Sequence, residues 1–251
     1  LAAPVEERPA TGAHAVRPYR IEDAVCTTAD ELAVALASHW PAGRKDLMRG
    51  QLSAWIGQEL RDDNLLRFVQ DLLDARDLSD DLRLLRLIRH IAPTMPPVWR
   101  GESLAVASLL AQAARAEPGD QSNAGATDWL LSVFAQQVLR ELPAARFPVE
   151  AALVARWEAA HARFATLWRE TETVRTHWRK EQTSRDGVAD FDALVFGQPA
   201  DHEAPPPAKL QPLLLLASAD EAYAARLLER VRAEAAPHLA DNPWLDALLQ
   251  A

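Results

Sequence analysis

The sequence predicts an all-α protein, a non-repeating bundle of about nine or ten helices that can divide into two lobes. Three observations predict it. The 251 residues include 36 Leu and 48 Ala against 15 Val and 4 Ile, so helix formers dominate and the β-branched residues of strands are scarce. Apolar residues recur at three- and four-residue steps over most of the chain, as on one face of a helix. Only 9 Gly are present, too few for the turns of a many-stranded β protein.

The elements follow in chain order. Residues 1–27 carry Pro4, Pro9, Gly12 and Pro18 with little periodicity. They read as an extended N-terminal tail or linker, with Tyr19 and Ile21 as the residues that tack onto the first helix. An N-terminal helical lobe spans 28–116. Thr28 and Glu31 have the capping-box spacing, in which each side chain satisfies an orphan N–H of the first turn. Leu32 and Leu36 share a face, and Pro41 and Gly43 read as the end of that helix. Leu52, Trp55, Ile56 and Leu60 form a second stripe. Asp62 or Asp63 caps a helix with Leu65, Val69 and Leu72 inside; Ser79 caps another with Leu82, Leu85 and Ile88. Three prolines force extended geometry within 93–101, and 102–116 resume a helix. A loop at 117–126 separates the lobes.

The C-terminal lobe spans 127–251. Thr127 reads as the cap of a helix carrying Trp129, Leu130 and Val133. Residues 149–181 give one long helix, roughly 50 Å if helical throughout. Its seam of Leu153, Trp157, Ala160, Phe164, Leu167, Thr171, Val174 and Trp178 alternates four- and three-residue steps, which is heptad spacing. Such a seam needs a partner, either within this chain or on a second copy, so self-association through 149–181 is one expectation. A short apolar element covers 190–196. Residues 198–208, with Pro199, Pro205, Pro206 and Pro207, form the clearest linker. Ser218 and Glu221 have the spacing of a second capping box, and Asn242-Pro243-Trp244 opens a last short helix. No tetratricopeptide- or HEAT-like period runs through the chain.

Charge and composition narrow the function classes. The formal net charge of −9 weighs against a nucleic-acid partner, which calls for a concentrated positive face. Of the 27 basic residues 24 are Arg, which reads either as a GC-rich, bacterial coding sequence or as Arg selected for phosphate or carboxylate recognition. The chain begins Leu1-Ala2-Ala3-Pro4 and reads as a piece of a larger protein. It shows no secretory signal pattern and no apolar run of membrane length, so a cytoplasmic location without membrane insertion is expected. The single Cys26 excludes an internal disulfide framework.

Catalytic patterns are missing. Neither of the glycine-rich phosphate-binding signatures occurs, nor does the nucleophile elbow of α/β-hydrolases. No His-Glu-x-x-His occurs, and His161 and His177 on the long helix would stand about 24 Å apart. No catalytic residue, metal or cofactor is therefore expected.

Partner-binding candidates are easier to name. Arg83, Arg86 and Arg89 recur at every third residue and read as a basic strip on the exposed side of their helix, either salt-bridged to the acidic segment before it or open to an anion or a partner. Trp99 and Arg100 sit in a rigid proline segment, and Trp and Arg are the residues most enriched at binding hot spots. In the competing reading Trp99 plugs the core and Arg100 caps a helix C-terminus. Trp168 lies beside the long seam, where it either widens the stripe or marks a second contact surface. Residues 59–81 hold eight acids and three Arg, a solvated acidic face or a docking surface for a basic partner. The expected function is a non-enzymatic helical protein–protein interaction module. The alternative is an enzyme or small-molecule sensor with a pocket between helices, lined by acids of 59–81 and an Arg.

Overall fold

In the computed structural model the backbone is described for residues 14–116, 124–182 and 210–240, and the side chains for all of these except 168–182. Helix accounts for 71% of the described residues, which settles the class as all-α. Among them are ten α-helices and two small antiparallel hairpins. The chain divides into two compact units, Leu1–Ser108 and Leu109–Ala251.

The first unit opens with a hairpin that the sequence pattern did not announce. Strands β1 (Tyr19–Ile21) and β2 (Ala24–Cys26) pair with Tyr19 opposite Cys26. Two turn residues, Glu22 and Asp23, join them, and Glu22 adopts φ 50°. Within the stretch read as a tail, then, Ile21 and Cys26 are buried. Two three-residue strands are too short for period-two patterning to register. Tyr19 fixes the hairpin by donating its hydroxyl to Asp46 at 2.7 Å, and Trp55 Nε1 donates to the Arg17 carbonyl at 2.8 Å.

Helix α1 (Ala29–Ser38) starts at the predicted capping box, with Thr28 and Glu31 exchanging bonds across the first turn. Pro41 does not end the helical run. It sits in the first turn of α2 (Trp40–Met48), where its missing N–H costs no intrahelical bond and its fixed φ suits the helix. Gly43 lets α2 approach closely: a Cβ there would stand 2.7 Å from a methyl of the fully buried Leu36.

Helix α3 (Gln51–Trp55) runs into one π-helical turn, Ile56–Leu60. Helix α4 (Asp63–Asp74) is capped by Asp62 and helix α5 (Asp80–Ile91) by Ser79, as the sequence predicts. Helix α5 is the centre of the unit and packs against α1, α2 and α4. The proline segment then forms strands β3 (Val98–Trp99) and β4 (Glu102–Ser103), with Arg100 and Gly101 as the turn at φ 51° and 85°. Helix α6 (Val106–Arg115) starts four residues later than the predicted 102, because β4 claims the first part of that segment.

In the second unit α7 (Ala124–Ala135) begins ahead of Thr127, which therefore lies inside the helix rather than at its cap. A short 3₁₀ turn, Val138–Glu141, precedes α8 (Pro148–Gln182), the long helix predicted for 149–181. Helix α9 (Leu210–Ala219) packs on α8 and α7. Leu153 and Trp157 of the seam are buried, Ala160, Phe164 and Leu167 are half-buried, and the side chains of Thr171, Val174 and Trp178 lie outside the described residues. Trp157 Nε1 donates to Gln211 Oε1 at 3.1 Å, and Phe134 stands 4.7 Å from the Trp157 ring. Helix α10 (Glu221–Ala235) is capped by Asp220, which accepts from Ala222 N, and not by Ser218. The Ser218 hydroxyl instead bonds back to the Leu214 carbonyl inside α9 at 2.6 Å. The element at 190–196, the linker at 198–208 and the helix from Asn242 lie outside the described residues.

Candidate functional site

The apolar positions of α5 recur at 81, 84, 85, 88 and 91, and the first of them is an aspartate. Helical spacing therefore carries Asp81 into the core, where its side chain is 4% exposed. A lone buried carboxylate would cost several kcal/mol in lost hydration, so it must be paired and saturated with donors. The structure supplies both. Oδ1 accepts from Trp40 Nε1 at 2.9 Å and from Arg44 Nη1 at 3.2 Å. Oδ2 accepts from Arg100 Nε at 2.8 Å and pairs with Arg100 Nη2 at 2.6 Å. The four contacts match the lone-pair capacity of an ionised carboxylate.

Each donor arrives by a local rule. Trp40 and Arg44 are four residues apart on α2 and so share a face. Arg100 stands in the left-handed turn of the second hairpin, and the following Gly101 tolerates the positive φ that the two-residue turn demands. Trp99, next to Arg100, packs edge-on against Trp40 with centroids 5.5 Å apart. The Arg100 guanidinium carbon lies 5.5 Å from the Trp99 ring centre, within cation–π range.

The charge count is uneven. One carboxylate holds two guanidinium groups, so a positive charge is left over. Arg44 and Arg100 are 46% and 37% exposed, and thus reach water while the group that anchors them does not. This arrangement can bind an anion.

The other candidates are placed as follows. Trp99 is fully buried and offers no contact surface; it plugs the core beside Trp40. Among the described residues Arg100 caps no helix but pairs with Asp81. Arg83 is not part of an exposed strip. It is buried, and its Nε and Nη2 donate to the Leu72 and Ala75 carbonyls at the end of α4, at 3.0 and 2.7 Å, while Nη1 pairs with Asp80 at 2.8 Å. Three-residue steps spread the triplet over about 120° of the helix, and the Arg83 end of that arc lies on the packed side of α5. Arg86 and Arg89 are half-buried, and Arg89 Nη1 reaches the Met95 carbonyl at 3.4 Å. The side chain of Trp168 lies outside the described residues.

A second polar group gathers at the first hairpin. His39, between α1 and α2, has Nδ1 at 3.0 Å from Glu22 and Nε2 at 3.2 Å from Asp23. Three potential ligand atoms thus lie within 4.8 Å of one another, on two carboxylates that are largely in water. Solvated acids beside a histidine pair well without an ion, and nothing here favours a metal over that pairing. Burial pushes the Cys26 thiol above its ordinary value, with the Glu31 charge adding to the effect, so it is held protonated and unreactive.

Sequence reasoning counted Asp81 among the acids of 59–81 and named Arg100, but it read those acids as a solvated face, a docking surface or a pocket lining rather than a buried anchor, and it missed Arg44. Asp81 was legible in principle, since it stands three, four and seven residues before Leu84, Leu85 and Ile88. Arg44 carried no such signal once Pro41 had been read as the end of the helix. In comparisons with protein-family models, curated proteins and solved structures, nothing matched the chain.

Proposed function

We propose that this protein is a non-enzymatic helical interaction module that docks a protein partner through the surface around Arg44 and Arg100. The observation that carries the reading is the buried Asp81 carboxylate with two part-exposed guanidinium groups fixed on it. Arginines anchored in this way lose little further side-chain freedom on binding, and such ordering is a principal cost of association. The acids and arginines that an enzyme or sensor pocket would need are here joined to one another: Asp80 to Arg83, and Asp81 to Arg44 and Arg100. That ties up two of the acids the alternative relies on. A bacterial source, drawn from the Arg-rich composition, and a cytoplasmic setting belong to the same proposal.

No helix among the described residues is long and apolar enough to cross a membrane. The test is a paired capture from lysate of the source cells, with the wild-type chain and an Arg44→Gln variant shown by circular dichroism to be folded. A protein retained by the wild type and lost with the variant supports the proposal. Identical retention by both, or retention by neither, overturns it.

A further inference from the structure

We infer that Arg44 and Arg100 form a carboxylate-binding site, and that the partner group it takes is the side chain of an acidic peptide segment. This deepens the interaction reading and rests on it.

The argument begins with the donors. A guanidinium offers five N–H groups in a planar fork. Arg44 spends only an Nη1 donor on Asp81, which leaves its Nε and Nη2 edge, the edge that meets a carboxylate with two parallel bonds. Arg100 spends Nε and Nη2, which leaves Nη1. Among the described residues Asp81 is the one carboxylate paired with either arginine. The two guanidinium groups sit on the two oxygens of one carboxylate and therefore stand close to one another.

Charge selects the ligand. Two cations on one anion leave a surplus of one, which a single carboxylate neutralises. A phosphate dianion would overshoot it. The neighbouring acid Asp80 is already matched by Arg83, so it does not cancel the surplus. Rigidity adds selectivity. Asp81 is buried and Arg100 is held in a two-residue turn, so the donors are aimed before a ligand arrives.

The experiment is calorimetric titration of the full chain, at low and at moderate salt, with a capped peptide of alternating Glu and Gly. The same peptide with Gln for Glu, inorganic phosphate and a single-stranded oligonucleotide are the comparison ligands. The expected result is saturable binding of the Glu peptide that weakens with salt, with the Gln peptide about tenfold weaker or silent. Folded Arg44→Gln should lose about tenfold in affinity, and Arg100→Lys, which keeps the charge but not the fork, should also bind more weakly. The inference is overturned by no binding of the Glu peptide or by equal binding of the Gln peptide. It is also overturned by undiminished binding in folded Arg44→Gln, or by tighter binding of phosphate or oligonucleotide. The two readings fail separately. A partner protein lost with Arg44→Gln while the peptide stays silent removes the carboxylate inference alone. Peptide binding as expected, with no partner protein captured, removes the interaction module alone.

Discussion

Both units bury a tryptophan whose indole N–H needs an acceptor, and they solve the problem differently. In the first unit Trp40 donates to Asp81 at 2.9 Å; in the second Trp157 donates to Gln211 at 3.1 Å. Gln211 is neutral, so its network can end inside the protein. Asp81 is charged, so it must recruit cations, and long arginines are the cations that can touch a buried oxygen while keeping part of the side chain in water. The same packing need gives a closed amide contact in one unit and a positively charged surface in the other. A buried carboxylate, more than any exposed arginine, is what creates the candidate site.

The strongest way to break that comparison is to remove the charged acceptor. Asp81→Ala leaves Arg44 and Arg100 without their anchor and the Trp40 N–H without a partner. Both arginines reach water, so the loss should fall below the roughly 3–5 kcal/mol of a pair whose remaining charge stays buried, and urea unfolding should show about 2–4 kcal/mol. The neutral acceptor should matter less. Gln211→Leu leaves the Trp157 N–H unsatisfied but strands no charge, and about 1–3 kcal/mol is expected from the same measurement. Equal losses at the two positions would mean that the Asp81 charge contributes nothing beyond a hydrogen bond.

These two networks also show what was legible in the sequence. The helical class, the Thr28, Asp62 and Ser79 caps and the long helix followed from spacing and capping chemistry, which are local properties. The site did not. Arg83, Arg86 and Arg89 looked like a strip because charge was assumed to face water, yet α5 is covered on several sides and Arg83 ends α4 from within. Trp99 read either as a contact residue or as a core plug, and it is the second, buried against Trp40. Asp81, Arg44 and Arg100 are 37 and 19 residues from one another along the chain, a proximity that only tertiary packing creates.

A third perturbation sharpens the contrast between buried acceptors and solvated ones. Thr28 accepts from Glu31 N at 3.2 Å at the exposed start of α1. Thr28→Ala should cost about 1 kcal/mol, as loss of an N-cap does, because water replaces the acceptor. Thermal unfolding of the variant should show a smaller shift than either buried substitution. A loss equal to that of Gln211→Leu would mean that solvent does not rescue this helix end.

The smallest effect expected is in the acid response of the second unit. His161 packs its ring 4.7 Å from Phe134, and burial holds its pKa below the ordinary 6.5. The sign follows from proton counting. Well above pH 6.5 the imidazole is neutral in both folded and unfolded chains and contributes no pH dependence. As the pH falls below that value the unfolded chain takes up a proton that the folded chain resists, so folding weakens until the folded imidazole is protonated as well. His161→Phe keeps the ring contact and removes the titration. Urea midpoints measured from pH 8 to pH 5 should therefore fall less steeply for the variant. An unchanged slope would show that other groups set the acid response and that the folded chain does not depress the His161 pKa.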